Sequence, residues 1–173
     1  MRKLAALAAA VAMLAAVPAT AQSLGDIEKA EAAVIEAWSA TPLAFRQAVF
    51  VDEPPQGFGL YNPRPDAAFK AGEPVIVYAE PVGYGWTDNG NGTYGFGFTV
   101  DLAIKNKEGG ILASQENYQR AEFVSRSRNR ELMLTFTLTL DGAPAGDYVV
   151  EYLLHDITGD KQGTVSLPFS IVE

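Results

Sequence analysis

The chain contains no cysteine and only one histidine, His155. Without thiols there are no disulfides, no thiolate metal ligands and no cysteine nucleophile, and a lone imidazole is too few for a histidine-based zinc site. No metal or other cofactor is therefore expected. Positive charge is also scarce: 13 lysines and arginines stand against 21 aspartates and glutamates, a net charge of −8. Such a balance is ill suited to the phosphate backbone of nucleic acid or to an anionic membrane surface. Past the first residues no apolar run approaches spanning length, so no membrane span is expected, and no internal repeat divides the chain.

The one long apolar run lies at the start. Arg2 and Lys3 precede the uncharged stretch Leu4 to Val17, and Ala19-Thr20-Ala21 follows with the small residues that a signal peptidase accepts. This pattern predicts a signal peptide over residues 1–21, cleaved before Gln22, with no cysteine behind it to carry a lipid. The run is shorter than the roughly 20 residues that a spanning helix needs. The expected location is the periplasm, or outside the cell. A cysteine-free domain held up by core burial alone fits the milder periplasm. The remaining chain of about 150 residues suits one domain.

From Leu24 to Ser39 apolar residues recur at three- and four-residue spacing (Leu24, Ile27, Ala30, Val34 and Trp38), with Asp26, Glu28, Lys29 and Glu36 on the other side. This predicts a helix within residues 22–42, capped by Ser23 and ended by Pro42. The stripe is expected to dock on the rest of the domain, because the later stretch Pro74–Val82 is apolar on both faces and needs a cover. Gly95 and Gly97 offer room for such a close approach.

Residues 43–173 alternate in the manner of strands. Tyr94, Phe96, Phe98, Val100, Leu102 and Ile104 share one face, and Leu132, Leu134, Phe136, Leu138 and Leu140 form another. Asn89-Gly90 and Asn91-Gly92 mark a tight turn. A more polar strand is expected from Ile111 to about Tyr118, and a closing hairpin joins Tyr148–Leu154 to Val165–Ile171. Pro168 predicts an edge or a bulge in that last strand. The expected fold is mainly β, an antiparallel two-sheet sandwich of about seven strands with one N-terminal helix.

The segment Leu138 to Tyr148, with its Asp-Gly-Ala-Pro-Ala-Gly turn, resembles the approach to the penultimate strand of immunoglobulin-like and fibronectin-type domains. That resemblance implies a tyrosine corner, with the Tyr148 hydroxyl bonded to backbone in the preceding turn. Neither the cysteine pair nor the partner tryptophan of antibody domains is present. Phe69-Lys70-Ala71-Gly72-Glu73-Pro74 is similar to the opening of bacterial Ig-like modules, and the whole chain resembles uncharacterised exported proteins of proteobacteria. The resemblance implies an Ig-like sandwich and an exported location. It carries over no functional residues.

Several residues are candidates for chemistry. Tyr84 and Trp86, with Tyr61 upstream, set aromatics among glycines, either as a stacking platform for a sugar or partner or as a plug at one end of the sandwich, which is the preferred account. Arg126, Arg128 and Arg130 alternate, so an extended segment would aim three guanidinium groups one way, toward an anionic glycan, a phosphate or an acidic partner. A charged edge or loop that discourages sheet pairing is the favoured account of them. His155 reads as an exposed strand-end residue, and Asp156 as a turn acceptor. Asp88 to Gly92 has glycine where a calcium loop needs oxygen ligands. Glu73, Glu80, Asp101 and Glu116 are the carboxylates from which a glycosidase pair would have to come.

The function expected from all this is a non-enzymatic periplasmic module for binding or assembly in the cell envelope, with another envelope protein or a glycan as its partner. A carbohydrate-binding module using exposed aromatics and a glycan hydrolase are the alternatives.

Overall fold

A computed structural model describes residues 23–173, so the expected leader and its cleavage point lie outside the described residues. Ser23 opens helix α1 (Leu24–Ala40) with a capping box: its Oγ accepts from the Asp26 amide at 3.3 Å, and the Asp26 carboxylate accepts from the Ser23 amide at 3.0 Å. The Ser23 amide foremost, and the Ser23 hydroxyl with it, donate to the Asp26 carboxylate and hold it below the usual carboxylate range. Thr41 and Pro42 end the helix.

Nine strands follow: β1 (Ala44–Val51), β2 (Ala68–Lys70), β3 (Val75–Val82), β4 (Thr87–Asp88), β5 (Tyr94–Asn106), β6 (Ile111–Ser125), β7 (Leu134–Leu138), β8 (Gly146–Asp156) and β9 (Gln162–Val172). One sheet runs β1-β3-β7. The other runs β2-β9-β8-β5, with β6 along the far side of β5 and β4 meeting its first residues. The described residues are thus mainly β, in two sheets with one helix. Two short strands exceed the expected seven, and β2 pairs with β9 in parallel, which departs from the expected all-antiparallel arrangement. β6 runs on to Ser125, well past Tyr118. Because β2 covers β9 only at Ser170–Val172, Pro168 falls on an open stretch of its strand, where its missing N–H leaves no ladder bond unmade.

Alternation sorts the core as expected. Phe98, Val100, Val150, Tyr152 and Leu154 from the larger sheet belong to one buried cluster with Val75, Val77 and Phe136 from the smaller. The sheets are partly curled. The Tyr118 hydroxyl on β6 donates to the Thr137 carbonyl of β7, and at the other margin Gly163 of β9 lies against the Leu43 backbone.

The helix is not where its stripe predicts. Its only buried residue is Trp38; Leu24 is 71%, Ile27 51% and Val34 43% exposed. The outer face of β3 is covered instead by the segment around residues 59–61. Tyr61 stacks on Tyr78 at 4.1 Å, and the Gly59 amide donates to the Tyr78 hydroxyl, which donates to buried Glu80 at 2.6 Å. Loss of water and the bond to Glu80 push the Tyr78 hydroxyl up to about 12. Nor does the helix use the room at Gly97. There the backbone of β6 closes in, such that a Cβ would lie 2.2 Å from the Ala121 carbonyl oxygen.

Only the foot of the helix is fixed. Trp38 Nε1 donates to the Tyr84 carbonyl at 2.7 Å. Lys161, from the β8–β9 hairpin, donates to the carbonyls of Ser39, Thr41 and Gly83 at 2.8, 2.7 and 2.6 Å. The last turn of the helix carries no basic residue of its own, so this ammonium meets the negative end of the helix dipole from elsewhere in the chain.

Two tyrosines on β8 make an opposed pair. Tyr148 is buried and donates to the Pro144 carbonyl at 2.7 Å, the corner bond expected from the sequence. The Tyr152 hydroxyl, fully buried against Phe136, has no hydrogen-bond partner among the described residues. Tyr148→Phe is expected to lower stability by about 1 kcal/mol, whereas Tyr152→Phe, which removes an orphaned polar atom, is expected to be neutral or stabilising by up to about 1 kcal/mol. Denaturant midpoints of the two variants check both, and an unchanged midpoint for Tyr148→Phe would mean that the corner bond contributes nothing.

Candidate functional site

The site begins at the aromatic foot of the helix. Trp38 stacks on Trp86 at 5.6 Å and meets Tyr84 edge-on at 5.1 Å; Tyr84 in turn contacts Trp86, Phe96 and Phe98. Tyr84 is fully buried, and burial raises its hydroxyl well above the usual tyrosine range. It cannot serve as half of an exposed stacking platform. Trp86 is half-buried, and Tyr61 lies apart, on the outer face of β3. The three aromatics therefore do not make one platform, and Tyr84 and Trp86 plug the end of the domain. Asp156 steadies the turn that carries them: its carboxylate accepts from the Gly85 amide at 2.7 Å and from the Thr158 amide at 2.9 Å.

That plug positions the arginines. The Tyr84 hydroxyl and Trp86 Nε1 both donate to the carbonyl of Asn129, at 2.9 and 3.1 Å. The Asn129 side chain bonds both backbone groups of Glu131, and Ser125 Oγ accepts from the Ser127 amide. The segment from Arg126 to Arg130 is a loop, which the favoured account of these residues includes, and not an extended row. Its backbone is nonetheless pinned at Asn129, and its three arginines reach the same space.

This space is a cleft of about 860 Å³ between the loop and the lower half of α1. Arg126, Arg128 and Arg130 of the loop line it, with Arg46 of β1 and with Glu31, Val34, Ile35 and Trp38 of the helix. The Arg128 guanidinium lies 5.2 Å from the centre of the Tyr94 ring, a cation–π distance. None of the four arginines has a carboxylate within 4.0 Å among the described residues; the paired arginines are Arg64 and Arg120. Four arginines against Glu31 and Glu131 leave this cleft net positive in an acidic chain. Guanidinium forks with open donors over an apolar and aromatic floor suit carboxylates or other planar oxyanions presented by an amphipathic partner.

Arg46, Trp38 and Tyr94 join the cleft with no sequence signal that marks them for it. Arg46 looks like any outward residue of an alternating strand, and Tyr94 belongs by parity to the core face, although it is at the strand end and only half-buried.

The candidate carboxylates are dispersed. Glu73 accepts from the Lys70 amide and from Arg64, and Glu80 is buried against Tyr78. Asp101 and Glu116 share a shallow groove of about 200 Å³ with Glu151, which is ion-paired to Lys105 at 2.7 Å. Asp101 accepts from the Asn117 amide and from His155 Nε2, both at 2.8 Å, and these bonds hold its carboxyl below the usual range. His155 is thus a half-buried partner of Asp101 and, through Nδ1, of Gln162 at 3.0 Å. Among the described residues no three metal-ligating side chains cluster. No described helix is long and apolar enough to cross a membrane.

No protein-family model matches the chain, and no curated protein matches it either.

Proposed function

We propose that the protein is a non-enzymatic binding or assembly module of the cell envelope, exported to the periplasm after cleavage before Gln22, whose working surface is the arginine cleft under α1. We take its β domain to be of the Ig-like sandwich type, supported by the corner bond from Tyr148 to Pro144. The observation that carries the functional reading is the joining of two unsatisfied surfaces in one place: four arginines without carboxylate partners among the described residues and a helix whose apolar side is bare. Each surface wants a partner, and they want different halves of the same one, namely an acidic, amphipathic protein segment.

The non-enzymatic part rests on the commitments of the carboxylates. A glycosidase acid needs a raised pKa, whereas Asp101, in the groove it shares with Glu116, is held low by its hydrogen bonds. A sugar platform is disfavoured by the burial of Tyr84 and the separate position of Tyr61.

A photo-reactive residue at Val34, on the rim of the cleft, tests the reading in intact cells. It is expected to give a discrete cross-linked species that disappears in the Arg126→Glu, Arg128→Glu, Arg130→Glu variant while the amount of protein holds. No cross-link to any protein would reject the reading. Intact-mass measurement of the periplasmic product is expected to start at Gln22; recovery of the full-length chain in the membrane fraction would reject the location.

A further inference from the structure

The bare side of the helix and the arginines face one corner. Val34, Ile35 and Trp38 line the cleft, and the same stripe continues upward through Ile27 and Leu24, which stand clear of the domain. The helix carries Asp26, Glu28, Glu31 and Glu36 against a single basic residue, Lys29. Glu28, Glu31 and Glu36 have no basic side chain within 4.0 Å among the described residues, where the ion pairs formed lie elsewhere. An acidic helix with an apolar stripe is the chemistry that the cleft asks for, and this chain itself displays one. It cannot fill its own cleft, because its foot is clamped by Trp38 and Lys161 and its upper turns point away.

We infer that the occupant of the cleft is the α1 helix of a second copy, an inference that rests on the docking reading above. The two copies exchange helices about a two-fold axis, each laying Leu24, Ile27 and Val34 against the stripe of the other. Each brings Glu31, which stands within the stripe and lines the cleft, and Glu28, one turn from Leu24 at the stripe's edge, over Arg126, Arg128 and Arg130 of its partner. Such an interface is isologous, so one patch supplies both the acid and the base. A helix of 17 residues is about 25 Å long, enough for the upper turns of one to reach the foot of the other in an antiparallel pair. The alternatives fit less of what is there. An anionic lipid surface would be repelled by the four carboxylates of the helix, and an anionic glycan would leave Leu24 and Ile27 in water.

The test is the mass in solution of the chain from Gln22 onward, by sedimentation across the micromolar range. The wild-type chain is expected to be a dimer. Ile27→Glu, at a position exposed in one copy, is expected to yield monomers with an unchanged thermal midpoint when both chains are compared at a dilution where neither associates. The reversals Arg126→Glu with Arg128→Glu, and Glu28→Arg with Glu31→Arg, are each expected to weaken self-association by about tenfold or more. Mixing the two reversed chains is expected to restore a heterodimer. A wild-type chain that stays monomeric throughout the range overturns the inference, as does a dimer indifferent to all of these changes. The docking reading fails separately: a monomeric chain that still cross-links from position 34 to a different protein keeps that reading and removes only the second copy as the occupant.

Discussion

Trp38→Ala is expected to lower the stability of the domain by about 3 kcal/mol, the scale for removing a buried large aromatic. The ring fills the space between Tyr84 and Trp86 and donates to the Tyr84 carbonyl, so its loss opens a cavity and orphans a buried acceptor. Deleting residues 23–33 is expected to do almost nothing to the same midpoint, within about 0.5 kcal/mol, because nearly all of their side chains are exposed. Both measurements belong at low protein concentration, where association adds no apparent stability. The contrast separates the foot of the helix, which is part of the core, from its upper turns, which are not. An unchanged denaturant midpoint for Trp38→Ala would show that the plug holds without its central ring.

Gly97→Ala is expected to cost about 3 kcal/mol or more, the upper end for overpacking. The new Cβ would sit 2.2 Å from the Ala121 carbonyl oxygen and 3.0 Å from the Glu122 Cα, and both belong to backbone paired with the same strand. Neither atom can step aside without opening the ladder between β5 and β6. Gly95→Ala, two residues earlier on the same face, is the control: its Cβ would meet only the end of the Asn89 side chain, at 3.4 Å, and the change is expected to be tolerated. Chemical denaturation of the two variants side by side checks the claim, and equal midpoints would refute it.

The strands were legible because a half-buried sheet writes its faces into alternate residues. The stripe from Phe96 to Ile104 and the one from Tyr148 to Leu154 are buried as the alternation requires. The turn at Asn89 is where Asn-Gly puts it, with Gly90 and Gly92 at φ of 74° and 76°. β2 and β4 are too short for any period to show. The helix exposes a deeper limit: an apolar stripe states that a face needs covering and is silent on whether the cover is in the same molecule. The site was half legible. Its arginines stood out against an acidic background, but what gathers them is the Asn129 carbonyl held by Tyr84 and Trp86, contacts spanning 45 and 43 residues. Nothing local foretells such contacts, and Arg46 arrives from a third element that gives no sign of its own.

Lys161 has a consequence for the order in which the molecule is made. The carbonyls it holds at Ser39 and Thr41 are 122 and 120 residues earlier in the chain, and the ammonium arrives only when the hairpin between β8 and β9 closes. Closing so long a loop is entropically slow compared with winding a helix, which takes well under a millisecond. The helix therefore gains this second tie only late in folding. Until that hairpin closes, α1 is held by Trp38 against Tyr84 and Trp86, and the carbonyls at its foot lack their cation.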